Sequence, residues 1–555
     1  MTAISLSRIT DLWASRKPTA LAVTHGAEQL TWSELHERVQ SLAASYAARG
    51  VEHEDRVSIA LPNGVEFVVA TLATWKLGAS PYPMSAFLTR HERRRILALA
   101  DPKLVVGGTE DDGRTNWIPA NFEPPPSPEG HMFPEKTASC IKAMASGGST
   151  GDPKLIVSRR PAVWDPDGET PGFYREGCTL IPGPFYHQGP FTWGFAGLFT
   201  GNHLVITSKF DAAETLALVE RHQVTMTSLV PTMMQRILAL PEETRTGTDV
   251  SSLRALWHLG APCPEWVKQA YIDWLGAEVI WELYGGTESV GTTTIRGDEW
   301  LQHRGSVGRP AATCEIKIVG DDGKEMPAGE TGEIFLRPRS GPGSTYRYIG
   351  AETRRLDGGW ETLGDIGYLD ADGYLYIKDR RSDMILSGGA NIFPAEIEAA
   401  IEAFPGVRSS AVTLVTKSDA RLVADLEKLL KRDIELSAFE IEDDRPGSRP
   451  QRSERPRRER DESETGHGSV QAASVAAYLP PVRQSYRAPS RDAFFDRPYE
   501  ASGSAEWPAW DKGATGVVQA PKGLSSNIRP KKRVAALFGA KAPAPAPAEE
   551  AAQGA

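Results

Sequence analysis

Residues 145–156 read ASGGSTGDPKLI, and their reading decides what kind of sheet the chain builds. Gly147, Gly148, Ser149, Thr150, Gly151 and Lys154 are the ingredients of a phosphate cradle, because glycine amides and small hydroxyls can wrap an anion. In a loop that opens a helix, the lysine follows the last glycine directly and the helix N-terminus holds the phosphates. Here Asp152 and Pro153 intervene. A proline disfavours helical backbone at the residue before it, and LIVS after the lysine has the texture of a strand. The stretch therefore reads as strand, loop, strand, with Lys154 on the second arm reaching back toward the loop. Taken alone, the blander alternative is an ordinary glycine turn between two strands, and phosphate binding is the favoured reading.

The flanking sequence alternates helix and strand. TWSELHERVQSLAASYAARG has helical apolar spacing, with Thr31 as N-cap and Gly50 as stop. RVSIAL reads as a buried strand, Pro62-Asn63-Gly64 as a turn, VEFVVATLATWKLG as a second amphipathic helix and PKLVVGG as another strand. The alternation returns in AETLALVERHQ (helix), VTMTSLVP (strand), and ALWHLGAPCP and AEVIWELYGGTE (strands ending in loops). Such a pattern predicts parallel sheets covered by helices, with ligands beyond the carboxyl ends of the strands, near Gly260 and Gly285. Region 305–378 turns at Asp321-Asp322-Gly323, Asp357-Gly358-Gly359 and Asp372-Gly373, which predicts a small β-rich subdomain.

Composition narrows the function classes. The 555 residues leave room for several domains, and 40% hydrophobic with 24% charged residues is ordinary for a soluble protein. A formal net charge of -10 argues against nucleic-acid binding by the chain as a whole. Cys140, Cys178, Cys263 and Cys314 form no CxxC pair, which argues against a zinc ribbon or a disulfide framework and suits a cytoplasmic location. MTAISLSRITDLWASRKP lacks the apolar run of a signal peptide, and no stretch reaches membrane-spanning length.

Further motifs share the order of one family. PFYHQGPF at 184–191, HLGAPCP at 258–264, ELYGGTE at 282–288 and TLGDIGYLDADGYLYIKDRRSDMILSGGANIFPAEIE at 362–398 follow the opening loop. Over roughly residues 20–410 the chain resembles the adenylate-forming superfamily of acyl-CoA synthetases, luciferases and peptide-synthetase adenylation domains. LPNGVEFVVATLATWKLGASPYPMS resembles most the bile-acid–CoA ligase-like branch. The resemblance implies an ATP-dependent carboxylic acid–CoA ligase that uses ATP, Mg²⁺ and coenzyme A on a small-molecule carboxylic acid. It implies that Ser146, Gly147, Gly148, Ser149, Thr150, Gly151 and Lys154 cradle phosphates and that His187 gates the acyl site. Gly260, Ala261 and Pro262 would wall the adenine and Tyr284 would stack on it, with Gly285 and Gly286 in the same motif. Thr287 would contact phosphate, Glu288 would hold Mg²⁺, Asp365 would bind the ribose hydroxyls and Arg380 would lie beside them. The family's glycine after the lysine is Leu155 here, and its hinge Asp or Lys is Ser382.

The resemblance stops past about 410. The family's P-K-x-x-S-G-K terminus has only PKGLSSN at 521–527 as an imitation, with Ser526-Asn527 in place of Gly-Lys. AVTLVTKSDARLVADLEKLLKRDIELSAFEI, 411–441, resembles instead the end of a DEAD-box RNA helicase core, and RPKKRVAALFGA, 529–540, is similar to such helicase tails. The expected fold class is α/β: an adenylating domain over 1–380, a hinge and truncated C-terminal domain over 381–415, a helicase-tail-like helix over 416–444, and a disordered tail over 445–555. Loss of the terminal lysine predicts impaired ligase activity. The alternative is a nucleotide- or acyl-binding pseudoenzyme whose arginine-rich tail contacts RNA, although that tail alternates acidic with basic residues. Neither the acid nor an oligomeric state follows from the sequence.

Overall fold

The computed structural model describes residues 3–127, 132–147 and 153–381, with short further stretches at 385–387, 390–392, 398, 411–412, 436–438 and 533–537. Five parallel pairings run through Leu21–His25, His203–Ile206, Cys178–Ile181, Met226–Leu229, Ala255–Leu259 and Ile280–Gly285. Past Ile280–Gly285 the same ladder turns antiparallel through Thr292–Arg296 and Ser306–Pro310. It then continues through Leu375–Arg380, Trp360–Leu369, Gly332–Pro338 and Cys314–Val319. The β-rich region expected over 305–378 is present, with left-handed glycines at Gly323, Gly358, Gly359 and Gly373 making its turns. It is hydrogen-bonded edge to edge with the parallel strands rather than set apart from them, one sheet of 14 strands. Local turn signals mark each hairpin, but no local signal says that Ser306–Pro310 pairs across to Thr292–Arg296.

A second parallel sheet joins Ser80–Pro83, Arg56–Ile59, Leu104–Val106 and Trp117–Ile118. The helix Trp32–Ala48 begins as expected: the Thr31 hydroxyl accepts from the Glu34 amide, and the Glu34 carboxylate accepts from the Thr31 amide in return. The helix Val65–Lys76 differs from the amphipathic expectation, since all its residues but Glu66 are buried. It packs on Trp32–Ala48 and on Gln188–Phe199. Phe67 stacks on Phe185 at 5.2 Å, and Trp75 meets Phe191, Phe195 and Phe199 edge-on. A helix enclosed on every side shows no polar face.

The opening segment folds as strand, loop, strand. Ala143–Gly147 and Pro153–Ser158 form an antiparallel pair with Ser146 opposite Lys154, and Tyr346–Ile349 adds a third strand beside Pro153–Ser158. The loop residues 148–152 and the hinge residue Ser382 lie outside the described residues. Most of the helix expected over 416–444 lies outside them too, but three of its residues form a strand instead, Leu436–Ala438, because they pair with a distant segment. Arg533–Leu537, inside the stretch expected to be disordered, pairs with Leu436–Ala438 and with Ala411–Val412.

Candidate active site

Two parallel strands end side by side, in register from Leu256 opposite Ile280 to Leu259 opposite Leu283. Beyond the first, Gly260 takes φ +86°, a conformation open to glycine, and Gly260, Ala261 and Pro262 are exposed. Beyond the second, Gly285 to Glu288 make a tight turn closed by the Ser289 amide on the Gly286 carbonyl. Ser289 sits at φ +52°, a left-handed conformation that costs a non-glycine residue about 1–2 kcal/mol. The turn aims Glu288 inward, and its carboxylate is buried. A methyl group on Gly286 would lie 2.7 Å from Glu288 Oε2 and 2.9 Å from Leu363 Cδ1. A larger residue there would have to push the carboxylate or the leucine aside. Thr287 is half-buried in the same turn.

The hairpin of the opening loop meets this turn. Lys154 Nζ lies 3.5 Å from Glu288 Oε1 and donates to the Tyr348 hydroxyl at 2.9 Å. The Tyr348 hydroxyl in turn donates to Glu288 Oε1 at 2.6 Å. Tyr348 was not legible as a site residue: it lies in YRYIG, an ordinary edge strand, and reaches the site only by pairing with Pro153–Ser158.

The ribose candidates also converge on this turn. Asp365 and Arg380 are cross-strand partners, and Arg380 Nε lies 3.4 Å from Asp365 Oδ1. Tyr284 donates its hydroxyl to Asp365 Oδ2 at 2.7 Å. Burial first, and then the neighbouring Asp365 charge, push the Tyr284 phenol well above its usual range, so it stays a donor. Leu363 crosses over Gly286 on the same strand as Asp365. The residues read as adenine, ribose and metal contacts thus stand around one turn.

His187 occupies the N-cap position of the helix Gln188–Phe199, its ring 4.6 Å from that of Tyr186. A Cβ on Gly189 would lie 2.7 Å from Leu259 Cδ1, so this helix start abuts the strand that leads into Gly260. Ser146 and Gly147 lie at the end of the first hairpin strand. Gly148, Ser149, Thr150 and Gly151 are outside the described residues.

Two lysines, Lys142 half-buried and Lys268 buried, escaped the sequence reading. Lys142 donates to Gln188 Oε1 beside Phe191, and burial, aided by Arg160, pushes its ammonium down to about 7. On the helix Glu265–Leu275, Lys268 donates to Glu282 Oε2 at 2.6 Å, with both side chains buried. His258 Nε2 is 3.8 Å from the same oxygen, but burial holds the imidazole neutral with its pKa down at about 4. That contact is therefore no ion pair at neutral pH. Nothing in the periodicity of helix Glu265–Leu275 distinguishes Lys268 from a solvated lysine; its burial depends on the strand behind it.

Residues 10–348 match the AMP-binding enzyme family. The chain belongs to that family. By family it is an acyl-CoA synthetase with the mixed α/β adenylate-forming fold. It is similar to a feruloyl-CoA synthase of Amycolatopsis sp, 33% identical over 416 residues, which cover 72% of this chain and 83% of the relative. It is also similar to a 2-succinylbenzoate–CoA ligase of Bacillus cereus (strain Q1), 29% identical over 408 residues, 72% of this chain and 83% of that one. Among solved structures, o-succinylbenzoate CoA synthetase from Bacillus subtilis with its acyl-adenylate intermediate superposes with a TM-score of 0.63 at 25% identity, covering 75% of this chain and 86% of that one. The same enzyme with ATP and magnesium superposes with a TM-score of 0.61 at 26% identity, over 74% and 87% of the two chains. Among the described residues no helix is long and apolar enough to cross a membrane.

Proposed function

We propose that this chain is an ATP-dependent carboxylic acid–CoA ligase, acting in the cytoplasm on an aromatic or steroid-like acid. The observation that carries the reading is the meeting of Lys154, Glu288, Tyr284 and Asp365 around one turn at the carboxyl ends of two parallel strands. The names of the feruloyl and 2-succinylbenzoate relatives support an aryl acid, and the motif at 61–85 supports the bile-acid-like branch.

In the first half-reaction an oxygen of the acid's carboxylate attacks the α-phosphorus of ATP. The bond from that phosphorus to the pyrophosphate oxygen breaks, leaving an acyl-adenylate. In the second, the CoA thiolate attacks the acyl carbon and AMP leaves. The Gly260–Pro262 backbone and the Tyr284 ring would enclose the adenine, and Asp365 would accept from both ribose hydroxyls. Lys154 would turn from Glu288 to the departing pyrophosphate, a point charge where negative charge gathers. His187, at the start of the helix whose Gly189 abuts Leu259, would close the acyl side against water. A magnesium ion suits Glu288: it prefers a hard carboxylate oxygen shared with substrate phosphates, the oxygen beside Gly286 has space that any Cβ would fill, and the ion would offset phosphate charge. The departures beyond 410 replace the family's terminal lysine, and adenylation is expected to be slow for that reason.

The test is acid-dependent exchange of labelled pyrophosphate into ATP across a panel of aryl, bile and fatty acids. Exchange by the native chain identifies the acid class, with Lys154→Ala expected to lower it about 10²–10³-fold, as for one well-aimed charge donor. Exchange seen only after an intact C-terminal domain is supplied would show a sound adenylating domain impaired by its C-terminus. If a folded chain exchanges with neither arrangement on any acid, the ligase reading fails.

A further inference from the structure

We infer that Tyr348 is a positioning residue for the nucleotide, its hydroxyl keeping Lys154 and Glu288 parted so that each stays open to its own ligand. The inference rests on the reading of Lys154 as phosphate partner and Glu288 as cation ligand. The hydroxyl accepts from Lys154 at 2.9 Å and donates to Glu288 Oε1 at 2.6 Å, and the Lys154 ammonium also sits 4.2 Å from the centre of the Tyr348 ring. The direct Lys154–Glu288 separation is 3.5 Å, longer than the roughly 2.7–2.9 Å of a charged hydrogen bond. A half-buried lysine and a buried carboxylate this close would close into contact if nothing satisfied them separately. The tyrosine oxygen serves both, as acceptor for the cation and donor to the anion.

The hydroxyl is itself fixed from outside the nucleotide site. Tyr348 lies on the strand Tyr346–Ile349, registered opposite Ile156 two residues beyond Lys154, so the tyrosine and the lysine share one face of the three-stranded sheet. The neighbouring Tyr346 ring lies 4.9 Å away, edge-on, and anchors the strand through its own hydroxyl, which bonds Thr353 Oγ1 at 2.7 Å. Removing the Tyr348 oxygen leaves the ring and its packing in place and lets Lys154 fall directly onto Glu288. Nucleotide and cation would then have to break a contact ion pair before either could bind.

The experiment is calorimetric titration of the full chain with ATP, in excess EDTA and in excess magnesium chloride, for the unaltered protein, Tyr348→Phe and Tyr346→Phe. The ratio of the two affinities is the readout. Tyr348→Phe is expected to lower that ratio about tenfold, the size of one hydrogen bond to a charged group, while Tyr346→Phe leaves it unchanged. The melting temperature of Tyr348→Phe should stay within about 4 °C of the unaltered chain. An unchanged ratio in Tyr348→Phe, an equal fall in both variants, or a Tyr348→Phe chain that does not fold while Tyr346→Phe does, would each overturn the inference and leave the ligase reading standing. Absence of any magnesium dependence in the unaltered chain would overturn both.

Discussion

Single residues carry chemistry here through burial more than through type. Lys142 and Lys154 sit twelve positions apart near the two ends of one hairpin, yet Lys142 is driven down to about 7 by burial against Gln188 and Phe191. A lysine whose folded pKa is depressed binds fewer protons folded than unfolded between about 7 and the ordinary value near 10.5. The stability it withholds below that window therefore returns as pH rises through it. Lys142→Met should flatten this rise: denaturant midpoints at several pH values from about 7 to 9.5 should climb less steeply in the variant, by up to about 1 kcal/mol per pH unit. Equal slopes would mean that Lys142 stays charged in the fold. Lys154 was readable because a glycine-rich loop announces it. Lys142 was not, since the residues that bury it come from a helix more than forty positions on.

At the scale of elements, the decisive joint is where the parallel ladder turns antiparallel. Gly308 takes φ +99° on Ser306–Pro310, and a Cβ there would lie 2.1 Å from the Thr294 carbonyl oxygen of the neighbouring strand. Gly308→Ala should thus cost about 2–5 kcal/mol through backbone strain and overpacking, read as a fall in melting temperature. Gly323→Ala, left-handed but with open space around its Cβ, should cost only the strain, about 1–2 kcal/mol. The capped start of Trp32–Ala48 was legible because Thr31 and Glu34 are three residues apart. The enclosure of Val65–Lys76 was not, because a run of valines, alanines and aromatics reads as apolar whichever neighbours cover it.

Across the whole molecule, the residues proposed to hold the nucleotide all belong to the segment that ends at residue 381, where Arg381 is tied down by Glu333 and Asp321. The described strands at 411–412, 436–438 and 533–537 pair with one another and with no strand of the larger sheets. A chain ending after Arg381 should therefore keep its magnesium-dependent stabilisation by ATP, measured as a concentration-dependent rise in melting temperature. Loss of that rise in a folded truncation would place nucleotide contacts beyond the hinge. The order of motifs from 145 to 398 and the late lysine behind Pro153 were enough, from sequence alone, for the adenylate-forming family. Those signals are local: a proline excludes a helix, and a glycine marks a turn, whatever lies elsewhere in the chain. Tertiary structure alone decided that Tyr348 bonds both Lys154 and Glu288, that Lys268 pairs with Glu282, and that the β-rich region extends the main sheet. Each depends on strands or helices distant in sequence being laid side by side, and pairing between distant segments leaves no periodicity in either one.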